Sequence, residues 1–497
     1  MSLENPLPSV HTKTTPGPAP NGLGTGIFAS ADIGSGQDVL NVQSPFVAVL
    51  DTPRLEDTCS GCFGKRHLEV PVDLKACTGC QVTKYCDRTC QAKDWKFAHS
   101  LECPIYQKLK PRILPNNARA ILRMVLRSGR RKYAAQELDL FVRLETHVRE
   151  ILDQNMKQWE RIALSAKAVK AYSGTEMSEQ ALSAFGAKLD MNAFNLTNAQ
   201  YDRIGLYLHP YAALINHGCD YNSVAGFDGD ELFVKAIRPI KKGEQIFISY
   251  IDATNPLEYR RGELSERYYF NCQCSKCEKG TDTMEDRFLP TAPSDCSTLD
   301  ASHRKTLELM ESASDPDTEP LKAVNMLESA MQGLRQTGSW PIARQPYVSL
   351  RDELITSLLS AGRFKSAFIH AAIRCILIDP VIYSHDAHPI RHLHGWALAK
   401  LAIHLSQGME ANTDDPYALE AHGLNFNFII WFILSKLVSQ ESESCTVPSF
   451  KRLVRSAFND VHKEFTANGL DPMDMIDNIR KEWDKLERIV RESDSIL

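Results

Sequence analysis

The densest chemistry in the sequence lies between residues 59 and 103, where Cys59, Cys62, Cys77, Cys80, Cys86, Cys90, His99 and Cys103 offer seven sulfurs and one imidazole. Eight such donors in four closely spaced pairs are what two tetrahedral zinc sites require. A pair separated by two residues lets one tight turn present both sulfurs to a single ion. The last pair, in DRTCQAKDWKFAHSLEC, puts His99 and Cys103 one helical turn apart on one face. The competing chemistry is a redox or disulfide cluster. A histidine in ligand register and a reducing compartment argue against it. Sites with four protein ligands have no open position, so they hold structure and do not catalyse.

A second group, Cys272, Cys274 and Cys277, supplies three thiolates, one short of a tetrahedron. Three further segments carry residue types suited to a reaction centre. GLGTGIFAS contains Gly24 and Gly26, ALINHGCDYN places Asn216 and His217 just before Cys219, and GEQIFISY ends a strand on Tyr250. Each alone has a plainer explanation: a glycine turn, a satisfied loop pair, a packed strand tyrosine. Cys296, Cys375 and Cys445 remain as ordinary reduced thiols.

The elements that must position these residues follow from periodicity. A chain of 497 residues is too long for one core, so two or three units are expected. Its 43% hydrophobic and 24% charged residues are ordinary for a globular protein, and a net charge of -5 gives no global pull toward nucleic acid or acidic lipid. No apolar run is long enough to span a bilayer, and the start lacks the order of a signal peptide. The first twenty residues hold five prolines and read as a disordered leader. Short β runs follow to Leu50, with VLNVQSPFVAVL broken at Pro45. Apolar residues then recur at helical spacing from Asn116 to about Leu189.

ELFVKAI (231–237) and EQIFISYI (244–251) read as strands, and RPIKKG between them predicts an antiparallel hairpin. The polar stretch after Cys277 reads as a linker, and everything beyond about Ala301 as helices. LLSAGRFKSAFIHAAIRCILIDP has the form of a tetratricopeptide-type helix pair, with a plain helical bundle as the alternative. Between Cys103 and Ala134 there are nine Lys or Arg and no acidic residues, and Arg119, Arg123 and Arg127 share one helix side. A solvated helix face is the preferred reading of that stripe. An anionic partner such as nucleic acid is the less favoured one, and RSGRRK a weak signal for nuclear entry.

Taken together, the four segments and the internal finger resemble, in content and order, the SET and MYND domain (SMYD) family of protein lysine methyltransferases over roughly residues 21–280. The resemblance implies an α+β multidomain fold: a SET β-fold with an inserted MYND zinc finger and a helical insert, followed by an all-α TPR-like C-terminal domain. Its expected divisions are a leader 1–20, SET N-terminal part 21–58, MYND finger 59–103, helical insert 104–189, SET core 190–252, post-SET zinc segment 253–280, linker 281–300 and helical domain 301–497. By the family's interleaved pairing, Cys59, Cys62, Cys86 and Cys90 hold one zinc and Cys77, Cys80, His99 and Cys103 another. Cys219 completes a third with Cys272, Cys274 and Cys277.

The same resemblance implies S-adenosylmethionine as methyl donor and a protein lysine, histone or non-histone, as acceptor. Tyr250, Tyr268 and Phe194 match the catalytic channel; Gly24, Thr25, Gly26, Asn192, Asn216, His217, Tyr250 and Phe270 match cofactor contacts. A proline-containing peptide is the expected partner of the finger, and nucleus and/or cytoplasm the expected location. Leu23, Gly218 and Tyr221 depart from the family pattern without removing a proposed catalytic group. A scaffold with a weak SET core, recruiting partners through the finger and helical tail, is the alternative.

Overall fold

The structure is a computed structural model describing residues 7–496 apart from 8, 23, 67, 69–71, 287–292, 338–339 and 409–418. Leu23, part of the expected linker and the side chain of Cys296 thus lie outside the described residues. The chain divides into two compact units. One takes Met1–Tyr250, Glu263–Cys272 and Cys445–Phe450, and the other Ile251–Gly262, Gln273–Ser444 and Lys451–Leu497.

The first unit opens with β1 (Val10–Thr12), β2 (Thr14–Pro18), β3 (Thr25–Ala29), β4 (Asp38–Val42) and β5 (Val47–Leu50). The finger contributes β6 (Lys75–Ala76), β7 (Lys84–Tyr85) and α1 (Arg88–Asp94). The helical insert holds α2 (Ser100–Leu109), α3 (Asn116–Gly129), α4 (Ala135–Arg143), α5 (Val148–Gln154), α6 (Met156–Ser173) and α7 (Glu179–Asn192). Then come β8 (Phe194–Thr197), β9 (Arg203–Leu208), β10 (Asn216–His217), β11 (Ser223–Asp228), β12 (Glu231–Ala236) and β13 (Phe247–Ile248). Small sheets share one core: β1-β4-β12-β11, β5-β9-β8, β2-β3 and the parallel pair β10-β13.

Three expectations are corrected here. Residues 10–18 are not disordered: β1 pairs with β4 and β2 with β3. The prolines of β2 are tolerated because β2 sits in a two-stranded sheet, where a missing N–H costs no central ladder bond. The 231–251 hairpin does not form. Both edges of β12 are already taken by β11 and β4, and Ile240 bridges to Ile33 instead. The following residues run beside β3, with Ile246 N–H donating to Ile27 O at 2.9 Å, before β13 pairs in parallel with β10.

The third correction concerns the basic stripe, which is buried rather than solvated. Arg119, Arg123 and Arg127 are 3%, 5% and 8% exposed. Each donates to a main-chain oxygen at 2.8 Å: Arg119 to Leu50, Arg123 to Ala48, Arg127 to Phe46. The arginines recur every fourth residue of α3 and the acceptors every second residue from Phe46 through β5, running in opposite directions. β5 pairs with β9 on its other side, so the arginines close the edge that the sheet leaves open. Arg127 also stacks its guanidinium over Phe97 and Tyr133, at 3.8 and 4.4 Å from the ring centroids. These three cations are therefore not available to nucleic acid.

The second unit is helical among its described residues. Pro293–Ala313 begins inside the expected linker, and Pro320–Gln336, Tyr347–Ser360, Phe364–Ile373, Pro389–Ser406, Phe426–Ser439, Pro448–Ala467 and Ile476–Ile496 follow. Most successive helices pack on one another, over a core that includes Leu327, Leu334, Tyr347 and Leu354. The expected pair around Gly-Arg-Phe is present, with Gly362 turning the chain at φ +72°. No described helix is long and apolar enough to cross a membrane.

Candidate active site and metal centres

The finger's eight donors converge as two sets, Cys59, Cys62, Cys86, Cys90 and Cys77, Cys80, His99, Cys103, with all ligand atoms of a set within 4.8 Å of one another. The Sγ atoms of Cys62 and Cys86 lie 3.5 Å apart and those of Cys77 and Cys103 3.8 Å, while His99 Nε2 is 3.6 Å from Cys80 Sγ. Zinc–sulfur bonds of about 2.3 Å in a tetrahedron give an edge of about 3.8 Å, so the donors fit the ion. Local structure makes this possible. Gly61 lets the first turn pass the finger helix, since a Cβ there would meet Cys90 O at 2.3 Å. Asp87 caps α1 by accepting from the Cys90 N–H at 2.9 Å, which places that ligand.

The outer shell ties the finger to the sheet. His99 Nδ1 faces Glu102 at 3.7 Å, and Arg123 grips both oxygens of Glu102 at 2.6 and 2.8 Å while also holding Ala48 O. Burial works against a charge on Glu102, but the adjacent guanidinium outweighs it and holds the carboxyl below the usual carboxylate range. One network thus runs from a metal ligand to β5.

The third set is Cys219, Cys272, Cys274 and Cys277, whose sulfurs also lie within 4.8 Å of one another. Across the described residues, three donor sets suit three zinc ions.

Tyr250 follows β13 and is held at both ends by the segment 215–217. Its hydroxyl donates to Ile215 O at 2.5 Å, and its backbone N–H donates to His217 Nδ1 at 3.0 Å. The parallel pairing of β10 with β13 brings the two segments side by side. Tyr268 packs against Tyr250 with ring centroids 5.1 Å apart, and Phe270 packs against His217 at 5.8 Å. Tyr269 between them has φ +60°, a left-handed turn that reverses side-chain direction; its hydroxyl donates to Gln158 Oε1 at 3.1 Å. Neither Ile215, which acts through its carbonyl, nor Tyr269 was legible in the sequence, because one offers no side-chain chemistry and the other only a third aromatic in a row. Burial raises the pKa of both Tyr250 and Tyr268, so both remain phenols at neutral pH.

Gly26 stands against Asn216: a Cβ on Gly26 would lie 3.1 Å from Asn216 Nδ2 and 2.5 Å from Gln245 Nε2, so a larger residue would push these side-chain ends aside. Gly24 has φ +70° with open space where a Cβ would be. Asn192 ends α7, its amide donating to Glu145 O at 2.9 Å and Lys188 O at 2.8 Å. Phe194 opens β8, paired with Tyr207 and half-buried against the core. The structure therefore joins Tyr250, Tyr268, His217 and Phe270 in one cluster and Gly26 with Asn216 in another.

Residues 24–251 match the family model of the SET domain. Among curated proteins, SET domain and MYND-type zinc finger protein 6 of Schizosaccharomyces pombe is 32% identical over 264 residues, 53% of this chain and 52% of that protein. Histone-lysine N-methyltransferase SMYD3 of Mus musculus is 26% identical over 398 residues, 77% of this chain and 88% of that one. Histone-lysine N-methyltransferase ASHR1 of Arabidopsis thaliana is 27% identical over 263 residues, 51% and 53%. The match spans about half the length of the first and third of these relatives. Residues 24–251 thus carry a SET domain, and with that domain interrupted by a two-centre cysteine finger and followed by a further cysteine set, the chain is similar in arrangement to the SET and MYND domain family.

Proposed function

We propose that the chain is an S-adenosylmethionine-dependent protein lysine methyltransferase. The observation that carries this reading is Tyr250, half-buried, protonated and fixed at both ends beside Tyr268. S-adenosylmethionine, when bound, supplies an electrophilic methyl group on a positive sulfur. The glycine segment fits such a cofactor, because Gly24 presents bare backbone with open space beside it. In this reading Gly24, Thr25, Gly26, Asn192, Asn216, His217 and Phe270 contact the cofactor.

An acceptor lysine has an ordinary pKa near 10.4, so it must shed a proton to react. Tyr250, Tyr268 and Phe194 form the aromatic channel of this reading, which disfavours the ammonium by desolvation. Tyr250 is not the base, since its proton is committed to Ile215 O. Its hydroxyl oxygen keeps lone pairs that orient the reacting groups, and alignment supplies much of the rate. The proton leaves to water before attack.

The finger serves recognition in this reading, with a proline-containing peptide as its partner, and the C-terminal helices act as a TPR-like platform. The protein works in the nucleus and/or cytoplasm. Labelled S-adenosylmethionine with mixed nuclear extract tests the proposal, comparing wild type with Tyr250→Phe. Protein labelling that disappears in the variant supports it. Equal labelling by both, or a wild type that neither binds the cofactor nor labels, overturns it.

A further inference from the structure

We propose that His217 is a positioning residue that links the Cys219 metal site to Tyr250 through its two ring nitrogens. The proposal rests on the methyltransferase reading for its consequence, though not for its geometry.

The tautomer follows from the partners. The Tyr250 N–H donates to His217 Nδ1 at 3.0 Å, and a peptide N–H can only donate, so Nδ1 carries a lone pair. The ring proton therefore sits on Nε2, which lies 3.2 Å from Cys219 Sγ. A sulfur that ligates a metal is a thiolate, the acceptor best suited to that N–H. The ring is 6% exposed, which leaves little room for water to replace either partner. It is packed against Tyr250 at 5.3 Å and Phe270 at 5.8 Å.

The rest of the neighbourhood turns these two bonds into a linkage. Gly218 N–H donates to Ile248 O at 3.0 Å, so the chain on either side of the ring is already pinned to β13. With the Tyr250 hydroxyl on Ile215 O, the ring bond at its N–H leaves the tyrosine little freedom to shift. Displacing Cys219 would move Nε2, and Nδ1 with it, because the imidazole is rigid. A metal ligand and the proposed catalytic tyrosine thus share one imidazole. Outer-shell partners of metal ligands elsewhere change affinity or activity by about 10- to 100-fold when removed, which sets the scale to expect.

Two isosteric substitutions separate the two arms in the full-length, zinc-loaded protein. In His217→Asn the amide oxygen falls where Nδ1 was, keeping the Tyr250 bond and losing the sulfur bond. In His217→Gln the amide nitrogen falls where Nε2 was, keeping the sulfur bond and losing the other. Three readouts are taken: zinc release to a chromophoric chelator, hydrogen exchange at the Tyr250 amide by mass spectrometry, and kcat and KM on a labelled extract protein.

For His217→Asn, one zinc equivalent is expected to leave about tenfold faster. For His217→Gln, release stays at the wild-type rate, the Tyr250 amide exchanges faster, and kcat falls about tenfold. In wild type, stripping the zinc speeds Tyr250 exchange. In His217→Asn, where the sulfur arm is cut, stripping adds no further change. Wild-type zinc release in His217→Asn, or unchanged Tyr250 exchange in His217→Gln, overturns the proposal. A wild type with no turnover overturns the methyltransferase reading alone, since release and exchange still decide the linkage.

Discussion

The hydroxyl of Tyr250 lies 2.5 Å from the carbonyl oxygen of Ile215, as its donor. The phenol is thereby oriented by the backbone segment that also carries Asn216 and His217. Tyr250→Phe removes the oriented oxygen and leaves the ring. Its kcat is expected to fall by about 100- to 1,000-fold, the cost of losing one preorganised polar group, with cofactor affinity changed only a few-fold. Single-turnover kinetics and calorimetric titration check this, and wild-type kcat in the variant would remove the tyrosine from the reaction.

Atomic emission on the purified protein should count three zinc ions per chain, matching the three donor sets. Gly61→Ala is expected to reduce the count to two. Its Cβ would meet Cys90 O at 2.3 Å and Cys90 C at 2.7 Å, backbone atoms that cannot swing aside. The ligand helix must move, and the set containing Cys59, Cys62, Cys86 and Cys90 opens. Full zinc content in the variant would show that the turn yields without cost.

Arg123→Met leaves Glu102 as a buried carboxylate without its cation and Ala48 O without its donor. Breaking a buried pair from one side costs about 3–5 kcal/mol. Urea unfolding should show a loss of that order. The double variant Arg123→Met with Glu102→Leu should recover part of it: the Glu102 charge is no longer stranded, while buried Asp94, 3.4 Å from Arg123, still loses its cation. A loss just as large in the double variant would place the cost elsewhere than in the Glu102 charge.

The helical unit carries three histidines buried in neutral form. Burial first, and then nearby cations, push His370 and His388 down to about 3, and burial takes His392 to about 4. For His370 the geometry agrees: Arg351 donates to its Nδ1 at 2.9 Å. Folded pKa values below the unfolded value mean that the unfolded chain binds more protons. Stability is therefore full above pH ~6.5 and falls as pH drops toward 4, by up to ~1.4 kcal/mol per pH unit for each histidine. Denaturant midpoints measured from pH 7 to 4 test the slope, and His370→Asn should flatten it by about a third. A slope unchanged by that substitution would show that His370 does not titrate on unfolding.

What the sequence made legible was local. The finger ligands could be read because metal binding fixes their spacing within a few residues, and β4 and β5 because Pro45 breaks the run between them. Pairings between distant segments were not. The turn residues at 238–243 suggested a hairpin, but β12 had already filled both edges with β11 and β4, which no local pattern reveals. The prolines of β2 disguised an edge strand as a disordered leader. Arg119, Arg123 and Arg127 read as a wet face because charge usually means water; their acceptors are backbone carbonyls, which have no signature in a sequence. In the site, Tyr250 was legible as a strand-end tyrosine, whereas its anchors on Ile215 and His217 depend on a parallel pairing of segments thirty residues apart.

The three arginines on α3 work as a vernier. Four helical residues advance about 6.0 Å and two strand residues about 6.7 Å, so the scales drift by only about 0.7 Å per rung. Flexible side chains absorb that drift over three rungs. A slip of one residue behaves quite differently. It would turn the helix by about 100°, or swing the strand's carbonyls to the opposite side, and all three bonds would fail together. Helix and strand consequently have one admissible alignment and no half-engaged one, and once it is reached the strand has no acceptors left at positions 46, 48 and 50 with which to recruit a foreign chain.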